Sequence, residues 1–147
     1  MISRDFIGLT SEPRTIAVET RQLKFFAKAT GQTDPVYFDE RAALAAGHPA
    51  LPVPPTYVLS LAAGVPAKVG DFQTFGVDLG RVLHGEQGFT HHRMIYAGDR
   101  VTFVTKTTDI YEKKGGALEF IVQDTTATNH RGELCTEMRT VIVVRNG

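Results

Sequence analysis

The sequence predicts an α+β fold in which an antiparallel sheet wraps around a buried central helix, and three observations lead there. The first half of the chain is helical in pattern and punctuated by proline and glycine, whereas everything from Val82 onward reads as extended strand. One short segment after Pro55 is apolar almost all round, so it needs cover on most sides. The last extended run alternates a mostly apolar face with a mixed one, and a sheet with one apolar face must lie on something. The segment after Pro55 is the only element hydrophobic enough to fill that place.

Taken in order, residues 15–19 are short and β-branched and open the chain as a strand. Thr20 suits the N-cap of a helix over 21–30, in which Leu23, Phe26, Ala27 and Thr30 recur on one face and Gly31 supplies the left-handed stop. Asp39 caps a second, alanine-rich helix that runs to Ala46 and is closed by Gly47. Residues 48–55 contain four prolines and cannot be regular, because each removes a backbone donor and pushes its predecessor to an extended conformation. Pro55, well placed in a first turn, opens the central helix over 56–63. Four extended runs follow, about 82–93, 100–112, 117–128 and 133–145. They are joined at Gly98-Asp99, Lys113-Lys114-Gly115-Gly116 and Asn129-His130-Arg131-Gly132, which carry turn chemistry and predict an antiparallel meander.

The bulk numbers exclude several classes of function. A chain of 147 residues with 42% apolar content is read as one domain, 1–147, long enough to bury about two-thirds of its unfolded surface. Sixteen basic and sixteen acidic residues cancel, so there is no electrostatic footprint for nucleic acid. The longest apolar stretch, 57–67, is interrupted by Ser60, Gly64 and Pro66 and is too short to span a bilayer. With no secretory signal visible at its start, the chain is expected to be soluble and cytoplasmic, without a membrane partner. Cys135 is the only cysteine and lies in an alternating run, as a buried structural thiol or, less in keeping with that run, a nucleophile. No His/Asp/Glu spacing resembles a metal site and no glycine-rich phosphate loop is present, so no cofactor is expected.

The most informative stretch is Thr30-Gly31-Gln32-Thr33-Asp34-Pro35-Val36-Tyr37-Phe38-Asp39, followed by His84-Gly85-Glu86-Gln87-Gly88-Phe89 and Tyr96-Ala97-Gly98-Asp99. Together these segments resemble the MaoC-like (R)-specific enoyl hydratases and dehydratases. The likeness is to the N-terminal, FAS1-like dehydratase type, which occurs as half of a double hot-dog or as a separate small subunit. In the catalytic members the first segment reads roughly S/T-G-D-x-N-P-x-H-x-D, and its Asp and His handle the water and the proton. Here Gln32 and Tyr37 stand at those positions. Gln87, Phe89 and Gly98-Asp99 match the family's Q-x-x-F-x-x-P-x-x-x-G-D loosely. The resemblance implies a hot-dog fold.

Hydrating an enoyl thioester needs a base for the water, an acid for the alpha carbon and donors that polarise the carbonyl. The Gln32 amide cannot exchange a proton near neutral pH, and a Tyr37 phenol titrates near 10 in reference peptides. The family's carbonyl donor is a backbone N–H near a glycine at the start of the central helix, where this chain aligns Pro55, which has none. Two residues are candidates to replace the missing pair. Asp34 is a candidate base, or a turn-former bonding its own backbone; His84 is a candidate proton shuttle, or a buried structural histidine. By resemblance, Gln32, Tyr37, Pro55, Thr56, Gly85 and Gln87 surround the acyl thioester. His91-His92-Arg93 is a candidate anion grip, although adjacent strand residues face opposite ways.

The leading expectation is an acyl-thioester-binding subunit of a (R)-3-hydroxyacyl-thioester dehydratase or enoyl hydratase, whose partner provides the catalytic Asp and His. Its ligand is acyl-CoA or an acyl-carrier-protein thioester, and its partner a second hot-dog subunit or another copy of itself. The alternatives are a non-catalytic acyl-thioester-binding homodimer and a hot-dog thioesterase using Asp34 or Glu86.

Overall fold

Five strands, β1 (Arg14–Ala17), β2 (Val82–His91), β3 (Arg100–Lys113), β4 (Leu118–Asn129) and β5 (Leu134–Arg145), form one antiparallel sheet in the computed structural model, which describes residues 1–146. Three helices accompany them: α1 (Thr20–Ala29), α2 (Glu40–Ala45) and α3 (Tyr57–Ala63). None of the helices is long and apolar enough to cross a membrane.

The sheet order is β1-β3-β4-β5-β2, which corrects the expected meander. Only β3, β4 and β5 follow one another; β2 pairs with β5, at the opposite side from β3. The reason lies in the link after β2. His92 and Arg93 both donate their N–H to Cys135 O (2.8 and 3.1 Å), which ends the strand at His91 rather than Arg93. The chain then runs along the proline-rich segment, with Val53 N donating to Ile95 O and Ala97 N to Leu51 O, each at 2.9 Å. Gly98-Asp99 makes no hairpin with β2. It holds the end of β1 instead, through Gly98 N to Val18 O (2.9 Å) and Val18 N to Asp99 O (2.8 Å).

Helix boundaries differ by one residue from expectation. Thr20 is already helical, and Glu19 precedes it without a side-chain cap. Asp39 caps α2 as expected, its carboxylate accepting from Arg41 N (2.7 Å) and Ala42 N (3.1 Å). Pro55 lies in the turn before α3, where Pro54 O accepts from Tyr57 N (2.9 Å), and Thr56 holds the N-cap position.

Two bulges set which side chains face inward. Gly85 is passed over between the pairs His84–Ile142 and Glu86–Val141, and Thr108 between Thr107–Gln123 and Asp109–Val122. Without the first, His84 and Gln87, three residues apart, would point to opposite faces. With it, His84, Gln87, Phe89 and His91 share the inner face. That face carries two apolar clusters. One packs Tyr57, Val58 and Leu61 of α3 against Val101, Phe103 and Met138; the other gathers Phe75, Ile110, Ile121, Ile142 and Val144. Between them runs a row of polar side chains, Thr107, Gln123, Thr140 and Gln87, paired in register across four strands. Two of its bonds are Thr140 Oγ1 to Gln87 Oε1 and Gln123 Nε2 to Gly70 O, both 2.8 Å.

The end of the second cluster is closed by a buried carboxylate. Glu119, 3% exposed, accepts from the Ile2 N–H and the Asn146 side-chain amide. Burial alone would raise its affinity for protons, but the Asn146 amide and the Ile2 N–H outweigh that, and the carboxyl titrates below its ordinary value. Its contribution is therefore present above the ordinary carboxylate range and lost as pH falls through the folded-state value. Glu119→Gln should destabilise the chain by about 1.5–3 kcal/mol at neutral pH, because one amide face then meets a donor with a donor. Urea titrations at pH 7 and in the acid range should show the gap between variant and parent closing on acidification; a gap constant with pH refutes this account.

Candidate functional site

Gln32, Asp34 and Tyr37 lie on the loop between α1 and α2, and hydrogen bonding within the loop fixes two of them. Gly31 adopts the left-handed conformation expected of it (φ 73°). Gln32 Oε1 accepts from Thr33 N (2.9 Å) and Asp34 N (3.0 Å), and Asp34 Oδ1 accepts from Val36 N (3.1 Å), capping a single 3-10 turn, Pro35–Tyr37. The carbonyl oxygen of one and the carboxylate of the other are thus engaged with main chain. Tyr37 is half-buried, and its hydroxyl has no hydrogen-bond partner among the described residues.

On β2, the expectation of a buried structural His84 is corrected. The residue is exposed, and no hydrogen bond reaches its ring among the described residues. The cause is its position: β2 is an edge strand, and only the β5 side of it is covered. Gly85 forms the bulge, and Gln87 is held by Thr140. Cys135 is fully buried, and desolvation raises its thiol above the ordinary value, so it is structural, not a ready nucleophile.

An open cleft of about 290 Å³ lies between the start of α3 and the end of β2. Pro54, Pro55 and Val58 line it from the start of α3, and His91, Arg93 and Ile95 line it from the end of β2 and the link that follows. None of Gln32, Asp34, Tyr37, Thr56, His84, Gly85 or Gln87 lines it. All three members of His91-His92-Arg93 do, because the strand stops at His91 and the backbone turns there. Two of them already hold carboxylates: His92 Nε2 lies 2.7 Å from Glu137 Oε2, and Arg93 Nη1 lies 3.5 Å from Glu133 Oε1. His91 differs. Its ring stacks on Phe89 (5.8 Å between centroids, 7° between planes), and Nδ1 lies 3.1 Å from Oγ1 of the buried Thr136. The inward alternation of Gln87, Phe89 and His91 was available in the sequence; the Thr136 contact, 45 residues away, was not.

A five-stranded antiparallel sheet curled over a short apolar helix is the hot-dog fold of the MaoC-like dehydratases and hydratases. Within that class, the chain belongs to the family described as the FAS1-like dehydratase domain region, which it matches over residues 5–138. A UPF0336 protein of Saccharopolyspora erythraea is 34% identical over 144 residues, covering 96% of this chain and 90% of that protein. One from Streptomyces griseus is 32% identical over 145 residues, covering 98% and 95%. Among solved structures, a chain of the C-terminally truncated HadBC (3R-hydroxyacyl-ACP dehydratase) complex from Mycobacterium tuberculosis is 30% identical, with a TM-score of 0.79 over 95% of this chain and 97% of that one. The (R)-hydratase from A. caviae involved in PHA biosynthesis shares the fold at 17% identity and a TM-score of 0.70, over 92% of this chain and 94% of that one.

Proposed function

We propose that this chain is the acyl-thioester-binding subunit of a (R)-3-hydroxyacyl-thioester dehydratase or enoyl hydratase, and that a second hot-dog chain provides the Asp and His that move protons. The observation that carries the reading is the loop of α1 and α2. Where a proton-transferring pair is needed it presents an amide and a phenol, and the carboxylate between them, Asp34, is engaged in a cap. Kinship with a chain of the HadBC complex supports a two-chain assembly. The uncovered side of β2 offers such a partner a ladder of main-chain donors and acceptors, and the cleft beside α3 opens at the end of that same strand.

In this reading the reaction removes water from a 3-hydroxyacyl thioester, or adds it to the 2-enoyl thioester, with the carrier CoA or an acyl-carrier protein. This chain binds the acyl group; in hydration the partner's base takes a proton from water as the carbon–oxygen bond forms and its acid gives one to the alpha carbon, and in dehydration the alpha carbon loses a proton while the departing hydroxyl gains one and leaves as water. The test is to follow crotonyl-CoA with the purified chain alone and with a catalytic hot-dog chain of the same family, recording enoyl absorbance and free thiol. Turnover is expected only in the mixture, without thiol release. Loss of enoyl absorbance by the chain alone overturns the division of labour. Release of free thiol in its place points to a thioesterase, with Asp34 or Glu86 as its base, and silence in every mixture to a binding homodimer.

A further inference from the structure

Two residues that line the cleft beside α3, Pro54 and Pro55, offer it no main-chain donor. Of the polar residues that also line it, His92 and Arg93 each face a carboxylate, which leaves the exposed His91 ring without an ionic partner among the described residues. Its tautomer follows from its contact. Thr136 is 1% exposed, and His91 is the only side chain bonded to its hydroxyl among the described residues. If Nδ1–H donated to Thr136, the buried hydroxyl proton would be left without an acceptor, an arrangement that folded proteins avoid. Thr136 Oγ1–H therefore donates to Nδ1, and the ring proton resides on Nε2. Nε2 has no hydrogen-bond partner among the described residues, and the parallel stack on Phe89 restricts the ring's rotation.

Building on the proposed function, we infer that His91 is a positioning residue. Its Nε2–H donates to the carbonyl oxygen of an acyl thioester seated in this cleft, where the lining Pro54 and Pro55 have no N–H to give. The apolar lining residues Val53, Val58 and Ile95 take the alkyl part of the acyl group. Thr136 acts through His91 by holding the tautomer.

The experiment compares two ligands that differ only in the acceptor: butyryl-CoA, and butyl-CoA, a thioether with a methylene in place of the carbonyl. Calorimetric titration of the wild-type chain should show butyryl-CoA binding roughly five- to tenfold tighter, the worth of one neutral hydrogen bond. His91→Phe, which keeps the stack on Phe89, should bring the ratio to about one, and His91→Gln, which keeps a donor, should recover part of it. The carbonyl ¹³C resonance of labelled butyryl-CoA should move downfield on binding to the wild-type chain and not to His91→Phe, a change that a merely structural role would not produce. A thioester preference retained in His91→Phe, or absent from the wild type, overturns the role of His91 while leaving acyl-thioester binding intact. Failure of both ligands to bind the wild-type chain, alone or mixed with a catalytic hot-dog partner, overturns the proposed function as well.

Discussion

Gly85→Val is expected to destabilise the chain by about 1–3 kcal/mol, and so to lower its melting temperature by roughly 3–10 °C. A Cβ at this position would sit 2.8 Å from Val143 Cγ2 and 3.1 Å from Val141 O. The second contact is main chain and cannot swing away. Two responses are open to the strand: to peel from β5, or to expel the bulge and slip by one residue. The slip would turn Gln87, Phe89 and His91 outward together, because strand side chains alternate with period two. Either response should remove butyryl-CoA binding. Gly88→Ala is the internal control, since a Cβ there meets its nearest neighbours at 3.8 and 3.9 Å, which is ordinary contact. Thermal unfolding of the two variants should separate clearly; equal melting temperatures would show that the bulge does not require glycine.

Leu61→Ala should cost about 2–5 kcal/mol. Leu61 is 1% exposed and belongs to the cluster beneath the sheet with Val58, Phe103 and Met138. A helix of seven residues is too short to stand alone in water, so α3 exists because its apolar sides are packed. Removing that side chain leaves a cavity and loosens the element that carries the wall of the cleft. The same substitution at Phe25, 75% exposed on α1, should change stability by no more than about 0.5 kcal/mol. Urea unfolding of both variants decides the matter, and comparable losses at the two sites would refute the assignment of α3 as the packed centre.

Much of this architecture was legible in the sequence because it is written in short-range patterns. Periodicity and turn residues placed β3, β4 and β5 within a residue or two, and Asp39, Gly31 and Gly47 marked helix ends with the chemistry that ends helices. The position of β2 was not legible. Its partner is decided by how residues 92–99 bond to the proline segment, a contact between loops about forty residues apart that no local pattern encodes. The site divides the same way. Glutamine and tyrosine at motif positions can be read directly from the chain, whereas the readiness of a histidine depends on what its ring touches. A strand position alone suggested a buried structural His84, yet an edge strand leaves it open to solvent. The sequence shows His91 as one of three consecutive basic residues, whereas its tautomer depends on a threonine in a different strand.

The uncovered side of β2 carries a consequence for the life of the molecule in a crowded cell. β2 is ten residues long, and those of its backbone groups that point away from β5 form an open template for an extended chain, interrupted by the bulge at Gly85. A polypeptide built this way is safest when synthesised in step with whatever covers that ladder. If the proposed second chain covers that ladder, copies made in excess of it are expected to self-associate through the same edge.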